Sequence, residues 1–481
     1  MIQLTDNFNS FNYKDTKYIE IIKNKRAIKD NLYITLKNYK EHKNKFIFFE
    51  SDDSNDDLII TVKNTRIDGE DKYTAQTGNY IGRFTWQVDK KTVDIDIKSR
   101  FSDIFLRRML NFANNVFLDV SVFKAQDKNT KDTDYSKFII YYMFIQKLEK
   151  AFLLGLPKSY ISVNHHEMKV KGKIDINTFI KYDIPFKGKI SSTSREQKEI
   201  QEIIDVLYKA ISIIDKQVKE SNVISTKNIA HIKTHLKQHK SNRYVSNETI
   251  SKAIKSKALK NPIFSPYKEV LKYAKLIINA NNLEEKKDAD KETFGFLVNV
   301  AELFEIYFVK LLQHRMPDWE VTHDRENKLF VYENQFYSRH MYPDIVMKKD
   351  NKVMVFDAKY KKMEFKSGIG DGKIGDLDRS DFFQINTYMT YYEKKRYEVI
   401  AGGLLYPIEK EFDCRFNEEN CEEDYKKLKA HSDNWFGDSK TKFIVDGIDL
   451  FGINSDSKIS DIKVKEDNFI KRIKQISGEH S

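Results

Sequence analysis

Two strand-like segments joined by a short polar turn lie in the sequence YPDIVMKKDNKVMVFDAKYK, from Tyr342 to Lys361. The turn, KKDNK, predicts a β-hairpin. Asp344 stands near the start of the first strand, and Asp357 and Lys359 lie two positions apart on the second. Side chains two apart on a strand project from the same face, so a carboxylate and an ammonium group are predicted side by side. Such charges are costly to bury without a partner, and a divalent cation would supply one.

These residue types fit one metal chemistry. Mg²⁺ is a hard cation that takes carboxylate oxygens, so we expect Asp344 and Asp357 to hold Mg²⁺, or Mn²⁺ in its place. The carbonyl oxygen of Ala358 is expected as a further ligand. The cation would lower the pKa of a water molecule and stabilise charge on a phosphate. Lys359 is expected to orient that water and offset the developing charge. Whether one or two cations bind stays open.

Two flanking segments fit the same site. Glu305, in the helical sequence AELFEIYF, is expected to reach the cation directly or through water. Gln384 and Tyr388 are four apart in DFFQINTYM, which places them on one helical face beside the sheet. Two plainer interpretations remain open. Glu305 is a solvated helix carboxylate in one, and the hairpin carries only a structural salt bridge in the other.

The periodicity of apolar residues along the sequence predicts a multidomain α+β protein with three consecutive segments. Residues 1–100 form a β-rich domain with strands at IIKNK, LIITVKN, YIGRFTWQV and TVDIDIK. Residues 101–285 form a mainly helical region that contacts a partner or DNA, and the charged sequence LEEKKDADKE is the best linker. Residues 286–481 form an α/β domain around a central mixed sheet, beginning with a helix over FLVNVAELFEIYFVKLLQH.

Composition narrows the functional classes. Lys and Arg exceed Asp and Glu by 83 to 72, which fits a polyanionic partner but also fits a coding bias toward A and T. Cys414 and Cys421 are too few for a disulfide framework or a four-cysteine zinc site, so a reduced cytoplasm is expected. No signal peptide is expected. The apolar stretch Phe138–Leu156 carries Lys147 and Glu149, which predicts a buried helix and no membrane partner.

Three further signals receive weaker interpretations. The sequence from Gly370 to Gly375 matches GxGxxG, but a loop beside the site explains it better than dinucleotide binding, and no P-loop sequence occurs. His231, His235 and His239 recur every four residues, and an exposed polar face is favoured over a metal stripe because lysines surround them. The Lys-rich region 216–260 is either a DNA-tracking surface or merely a solvated one.

The ordered motifs resemble the McrC family, the nuclease subunits of modification-dependent restriction systems. The sharp matches are FLVNVAELFEIYF, YPDIVM, FDAKYK, SDFFQINTYMTYY, GGLLYP and the late IDLF. Looser matches are TVDIDIKSRFSDIFLRRML, GLPKSYISV and KGKIDINTFI, so the resemblance spans most of the chain. It implies a C-terminal PD-(D/E)xK nuclease domain and a McrB-type AAA+ GTPase partner. In that family the N-terminal region docks on the GTPase ring and stimulates GTP hydrolysis.

Two departures concern partner contacts. Lys171 stands where an arginine is expected before Gly172, and the helix after REQKEIQ lacks the expected Asn-Arg pair. The leading hypothesis is a DNA endonuclease subunit that cuts double-stranded, methylated foreign DNA and stimulates its partner. Three alternatives remain: a sequence-specific restriction nuclease with a McrB-like partner, a non-catalytic ring-binding DNA clamp, and a stand-alone repair nuclease.

Overall fold

The computed structural model describes residues 2–10, 31–41, 45–49, 57–67, 70–88, 91–113, 135–221, 229–285, 295–323, 329–330, 340–361, 379–408, 431–454 and 457–478. The predicted strand IIKNK, the loop Gly370–Gly375, Cys414 and Cys421 lie outside these residues. So does most of the predicted linker. Within the described part of the chain, no helix is long and apolar enough to cross a membrane.

The chain divides into two compact units. Unit 1 combines Met1–Asp119 with Thr293–Ser481, and unit 2 is Val120–Glu292. Both contain helices and strands, and the described strands form five sheets. This mixture agrees with the predicted multidomain α+β class.

The first hundred residues are rich in strands, as predicted. The described residues of this part contribute strands to two sheets and form one short helix, α1 (Leu36–Lys40). The strands are β1 (Ile2–Thr5), β2 (Leu32–Thr35), β3 (Lys45–Phe48), β4 (Leu58–Ile67), β5 (Glu70–Thr77), β6 (Tyr80–Val88) and β7 (Lys91–Lys98). In β7, Val93, Ile95 and Ile97 are all buried, which confirms the alternation predicted for TVDIDIK. Their apolar face packs into the core between these sheets.

Unit 2 is mainly helical but contains a sheet that the sequence did not reveal. Its helices are α3 (Tyr135–Phe152), α4 (Ile176–Tyr182), α5 (Gln201–Ser221), α6 (Ala230–His239), α7 (Asn247–Ile254) and α8 (Tyr267–Glu285), and α2 (Asp103–Ala113) precedes them in unit 1. Strands β8 (Lys158–Glu167), β9 (Lys173–Ile174) and β10 (Ile190–Glu199) form an antiparallel sheet in the order β8–β10–β9. The sequence pattern predicted a mainly helical region and did not indicate these strands. Because β8 buries no side chain and β10 buries only Ser191 and Ser192, the strands lack a clear apolar alternation.

The helix predicted over FLVNVAELFEIYFVKLLQH is also corrected. Its first residues form strand β11 (Gly295–Asn299), and helix α9 (Val300–Arg315) follows. Asn299 ends the strand and caps the helix, since its Oδ1 accepts from the N–H groups of Ala301 and Glu302. The fully buried FLVN sequence resembles a buried helix by periodicity alone.

Strand β11 explains why unit 1 is discontinuous in sequence. It pairs antiparallel with β6 and parallel with β3, completing the sheet β1–β7–β6–β11–β3. The chain therefore returns to the N-terminal sheet before it enters α9. This arrangement differs from the three consecutive segments expected from the sequence, because the first and last of them share a sheet.

The C-terminal part of unit 1 is built around a six-stranded mixed sheet in the order β12–β15–β16–β17–β19–β18. Its strands are β12 (Glu320–His323), β15 (Ile345–Lys349), β16 (Lys352–Ala358), β17 (Glu398–Ile408), β18 (His431–Trp435) and β19 (Asp438–Asp449). A small ladder joins β13 (Leu329–Phe330) and β14 (His340–Met341). Helices α10 (Arg379–Lys394) and α11 (Ile459–Ser477) complete this part of the unit.

Candidate active site

The predicted hairpin is confirmed, and it brings the two aspartates together. Strands β15 and β16 pair antiparallel with Ile345 opposite Phe356. Asp344 immediately precedes β15, so it lies beside the end of β16, where Asp357 stands. The N–H of Ala358 donates to Asp344 Oδ2 at 2.7 Å, which fixes one carboxylate against the neighbouring strand.

The end of β16 carries a buried carboxylate, that of Asp357, beside the ammonium group of Lys359. Asp357 is fully buried, and its Oδ1 accepts no hydrogen bond from the described residues. Lys359 Nζ lies 2.5 Å from Asp357 Oδ2 as an ion pair. The N–H of Lys359 donates to the carbonyl of Leu405 on β17, so the backbone of the pair is held by the sheet. The side chains of Asp357 and Lys359 share one face, as their spacing predicts.

Helix α10 approaches the sheet closely because β17 carries glycines there. A Cβ added at Gly402 would lie 2.4 Å from Sδ of Met389 on α10. This approach brings Gln384 to the site, where Lys359 Nζ donates to Gln384 Oε1 at 3.4 Å. Close packing against neighbouring elements therefore explains the two glycines of the sequence GGLLYP.

Tyr388 fixes the orientation of the Gln384 amide. Gln384 Nε2 donates to the Tyr388 hydroxyl at 2.7 Å, and that hydroxyl donates to the carbonyl of Tyr342 at 3.2 Å. Burial raises the pKa of Tyr388 to about 12, against the opposing hydrogen bond from Gln384, so the phenol keeps its proton. With its NH₂ group committed to Tyr388, Gln384 presents its oxygen to Lys359.

Glu305 lies near enough to act electrostatically on the site, and it forms a group with two residues that sequence reasoning missed. Its carboxylate contributes to the electrostatic field at Asp344. Its Oε2 is 3.9 Å from Nε2 of His323, the last residue of β12. Possible ligand atoms of Glu302, Glu305 and His323 all lie within 4.8 Å of one another. The three-residue spacing of Glu302 and Glu305 on α9 could have predicted that they share a helical face, but nothing in the sequence linked His323 to them.

Asp381 is another residue that the sequence analysis did not single out. It is buried on α10, and its Oδ1 lies 3.7 Å from Lys359 Nζ. Its other oxygen pairs with the ammonium group of Lys361. Asp381, Gln384 and Tyr388 follow one another at intervals of three and four, so the helical face predicted for the last two could have included it.

The negative charges of the neighbouring carboxylates repel one another. Burial raises the pKa of Asp344 well above its ordinary value, and the nearby charges of Asp357 and Glu305 raise it further. Burial alone would lower the pKa of Lys359, but the carboxylates of Asp357 and Asp344 outweigh that effect and raise it. Lys359 therefore remains a cation at neutral pH, suited to stabilising negative charge rather than to accepting a proton.

These residues fit a divalent cation. Asp344, Asp357 and Glu305 present hard oxygen ligands of the kind that Mg²⁺ and Mn²⁺ prefer. Apart from the Lys359 ammonium group beside Oδ2, Asp357 has no donor among the described residues, and Asp357 and Glu305 lie close enough to disturb the pKa of Asp344. A buried carboxylate oxygen without a donor is unfavourable, and a cation would relieve both that cost and the mutual repulsion.

The N-terminal strands support the strand end that carries Lys359. Asn7 Nδ2 donates to the carbonyl of Tyr360 at 3.2 Å. The guanidinium group of Arg100 lies 4.8 Å from the centre of the Tyr360 ring, and the Arg100 N–H donates to Asp6 Oδ1 at 2.6 Å. The first hundred residues thus contact the residue that directly follows Lys359.

Comparison with known proteins gives one family match. The model described as "McrBC 5-methylcytosine restriction system component" matches residues 75–407, more than half of the chain. None of the curated proteins matches.

Two solved structures from Thermococcus gammatolerans are similar in part. The first is described as a refined half-complex from a tetradecameric assembly of McrB AAA+ hexamers with bound McrC. It is 15% identical, with 85% of this chain and 84% of that chain covered and a TM-score of 0.45. The second is a cryo-EM structure of the McrBC complex. It is 16% identical, with 66% of this chain and 88% of that chain covered and a TM-score of 0.31.

The family match covers α9, the hairpin, α10 and most of β17, the elements that carry Glu305, Asp344, Asp357, Lys359 and Gln384. It also confirms the family resemblance that the motifs suggested. The chain belongs to the McrBC family of 5-methylcytosine restriction system components.

Proposed function

We propose that this chain is the DNA endonuclease subunit of a McrBC-type restriction complex and that its C-terminal sheet is a PD-(D/E)xK nuclease domain. The observation that carries the proposal is the grouping of Asp344, Asp357 and Lys359 at one end of the β15–β16 hairpin. The substrate would be double-stranded foreign DNA that contains 5-methylcytosine.

Asp344, Asp357 and Glu305 would hold Mg²⁺ or Mn²⁺ with the carbonyl oxygen of Ala358. The cation would supply Lewis-acid stabilisation of a phosphate oxygen and a lowered pKa for a water molecule. Asp344 is oriented for this by the Ala358 N–H, and Asp357 by its place in a strand that pairs with β15 and β17.

Lys359 and Gln384 would act on the scissile phosphate and on the attacking water. The Lys359 ammonium group offsets negative charge that develops at phosphorus. It lies between Asp357 and Gln384, so its position is fixed from two sides. Gln384 Oε1 is an acceptor that can orient a water molecule, and Tyr388 keeps that oxygen pointed into the site.

A McrB-like AAA+ GTPase is the proposed partner, and this chain would stimulate its GTP hydrolysis. Family membership supports this, as do several large apolar side chains that are exposed on and around β8, β9 and α4 in unit 2. They are Tyr160, Met168, Ile174, Ile176, Ile180, Tyr182 and Phe186.

The nuclease proposal is tested with Lys359→Ala and a matched control, Lys352→Ala. Lys352 is exposed at the other end of the same strand. With the GTPase partner, GTP and Mg²⁺ present, Lys359→Ala should lower the rate of cleavage of methylated plasmid DNA by roughly 10²–10³-fold. Lys352→Ala should cleave at the wild-type rate. Equal cleavage by all three proteins would remove Lys359 from the site, and DNA binding without any cleavage by the wild type would favour a clamp.

A further inference from the structure

Helix α6 in unit 2 carries a second group of metal-ligating side chains, separate from the carboxylates described above. His235 and His239 are four residues apart on α6, so their rings lie on one face. The fold adds Glu199, the last residue of β10. One possible ligand atom from each of Glu199, His235 and His239 lies within 4.8 Å of the other two. The sequence did not suggest Glu199, because it lies on a different element.

Hydrogen bonds orient both imidazole rings. His239 Nδ1 lies 2.9 Å from the carbonyl oxygen of His235. A carbonyl only accepts, so Nδ1 carries the proton and the neutral ring keeps its lone pair on Nε2. A ring nitrogen that donates to a backbone carbonyl is the usual support for a metal-binding histidine. Nε2 of His235 lies 3.2 Å from Glu199 Oε2, so that nitrogen already faces the carboxylate.

Other contacts hold α6 in this position. Gln201, at the start of α5, donates through Nε2 to the carbonyl of His239 at 2.9 Å. The ring of Phe152 packs edge-on against the ring of His235, with centroids 5.9 Å apart. The two imidazole rings are themselves 4.5 Å apart. The group is therefore held by the backbone and by its neighbours.

Two of the surrounding lysines, whose charges argue against a bound cation, have partners of their own. Lys233 forms an ion pair with Asp215. The ammonium group of Lys240 lies 5.1 Å from the centre of the Tyr208 ring. The Asp215 carboxylate offsets the charge of Lys233 and so reduces its repulsion of a bound cation.

We propose that Glu199, His235 and His239 bind one Zn²⁺ ion, with water as the fourth ligand. Two imidazole nitrogens and one carboxylate oxygen suit Zn²⁺ rather than Mg²⁺, which prefers oxygen ligands alone. Binding replaces the proton on His235 Nε2 with the metal and releases that proton. The ion would fasten α6 to the junction of β10 and α5. This site is independent of the proposed nuclease function.

The test uses full-length protein without a polyhistidine tag, with Co²⁺ as a spectroscopic substitute for Zn²⁺. Saturating Mg²⁺ is included to occupy sites built from oxygen ligands. Wild-type protein should bind one equivalent of Co²⁺ and give the visible absorption of a four-coordinate ion, which Zn²⁺ abolishes. His239→Ala and Glu199→Gln should weaken this binding by at least about tenfold.

His231→Ala is the matched control, because His231 lies on the same helix but outside the ligand group. It should bind Co²⁺ as the wild type does, and Zn²⁺ should raise the thermal unfolding midpoint of both proteins. His239 is exposed, so its replacement should leave the far-UV circular dichroism unchanged. Equal Co²⁺ affinity in wild type, His239→Ala and Glu199→Gln would overturn the proposal, as would an absence of Co²⁺ binding by the wild type.

Discussion

Replacing Glu466 with glutamine removes the charge that neutralises a buried guanidinium group in unit 1. Glu466, on α11, accepts from Arg108 Nε at 2.8 Å and from Arg108 Nη2 at 2.7 Å, and the Tyr307 hydroxyl donates to it at 2.8 Å. The Arg108 and Glu466 side chains are 3% and 0% exposed. Removing one partner of such a pair costs about 3–5 kcal/mol. A whole domain has only about 5–15 kcal/mol of stability, so the loss should be easily measured.

The three tryptophans of the chain make the assay selective. Trp86, Trp319 and Trp435 all belong to unit 1, so their fluorescence during urea unfolding reports that unit. Glu466→Gln should lower the free energy of unfolding by about 3 kcal/mol or more, with the urea dependence unchanged. Because Arg108 lies in the N-terminal segment, the result also tests whether the two segments fold as one unit.

A triple variant separates the loss of the pair from the cost of a stranded charge. Arg108→Met, Glu466→Met and Tyr307→Phe together remove both charges and the hydroxyl group, so they should recover most of the lost stability. A decrease below about 1 kcal/mol for Glu466→Gln would refute the reasoning, since a buried guanidinium would then tolerate the loss of its carboxylate.

Three further predictions concern pH, the site and its packing. Burial raises the pKa of Asp6 to about 6 from an ordinary value of 3.8, so the folded state retains a proton that the unfolded state releases. As the pH rises from 4 to 6, the stability of wild type relative to Asp6→Asn should therefore fall by about 2 kcal/mol, and a constant difference in urea unfolding would contradict this. Tyr388→Phe should slow DNA cleavage about fivefold by releasing the amide that it orients, while Mn²⁺ affinity stays unchanged; wild-type kinetics would count against that role. Gly403→Ala places a Cβ 2.0 Å from the backbone oxygen of Ile444, so it should lower the free energy of unfolding in urea by about 1–3 kcal/mol. Gly402→Ala should lower it less, because its Cβ meets only the flexible side chain of Met389. A larger loss of stability for Gly402→Ala than for Gly403→Ala would be evidence against this packing.

The candidate site was largely predictable because local patterns define it. The polar turn between two apolar strands predicted the hairpin, and the two-residue spacing placed Asp357 and Lys359 on one face. The four-residue spacing of Gln384 and Tyr388 predicted a shared helical face, which the hydrogen bond between them confirms. Their catalytic roles remain predictions.

Other features depend on contacts between distant parts of the sequence. His323 joins Glu305 only because β12 packs beside β15, and Glu199 joins His235 only because α6 folds against the start of α5. The strand β11 was mistaken for helix because a fully buried strand has no alternation to distinguish it. Sheets such as β8–β10–β9, whose strands bury few side chains, also lack the pattern on which sequence reasoning depends.

The most direct test of the proposed nuclease site is the rate of double-stranded DNA cleavage by Asp357→Asn. Asp357 is fully buried, and asparagine preserves its shape while removing the charge that would hold the cation. With the GTPase partner, GTP and Mg²⁺ present, methylated plasmid DNA should be cut at least about a hundredfold more slowly than by the wild type. The folded fraction, read from tryptophan fluorescence, should be the same for both proteins. Cleavage by Asp357→Asn at the wild-type rate would contradict the account.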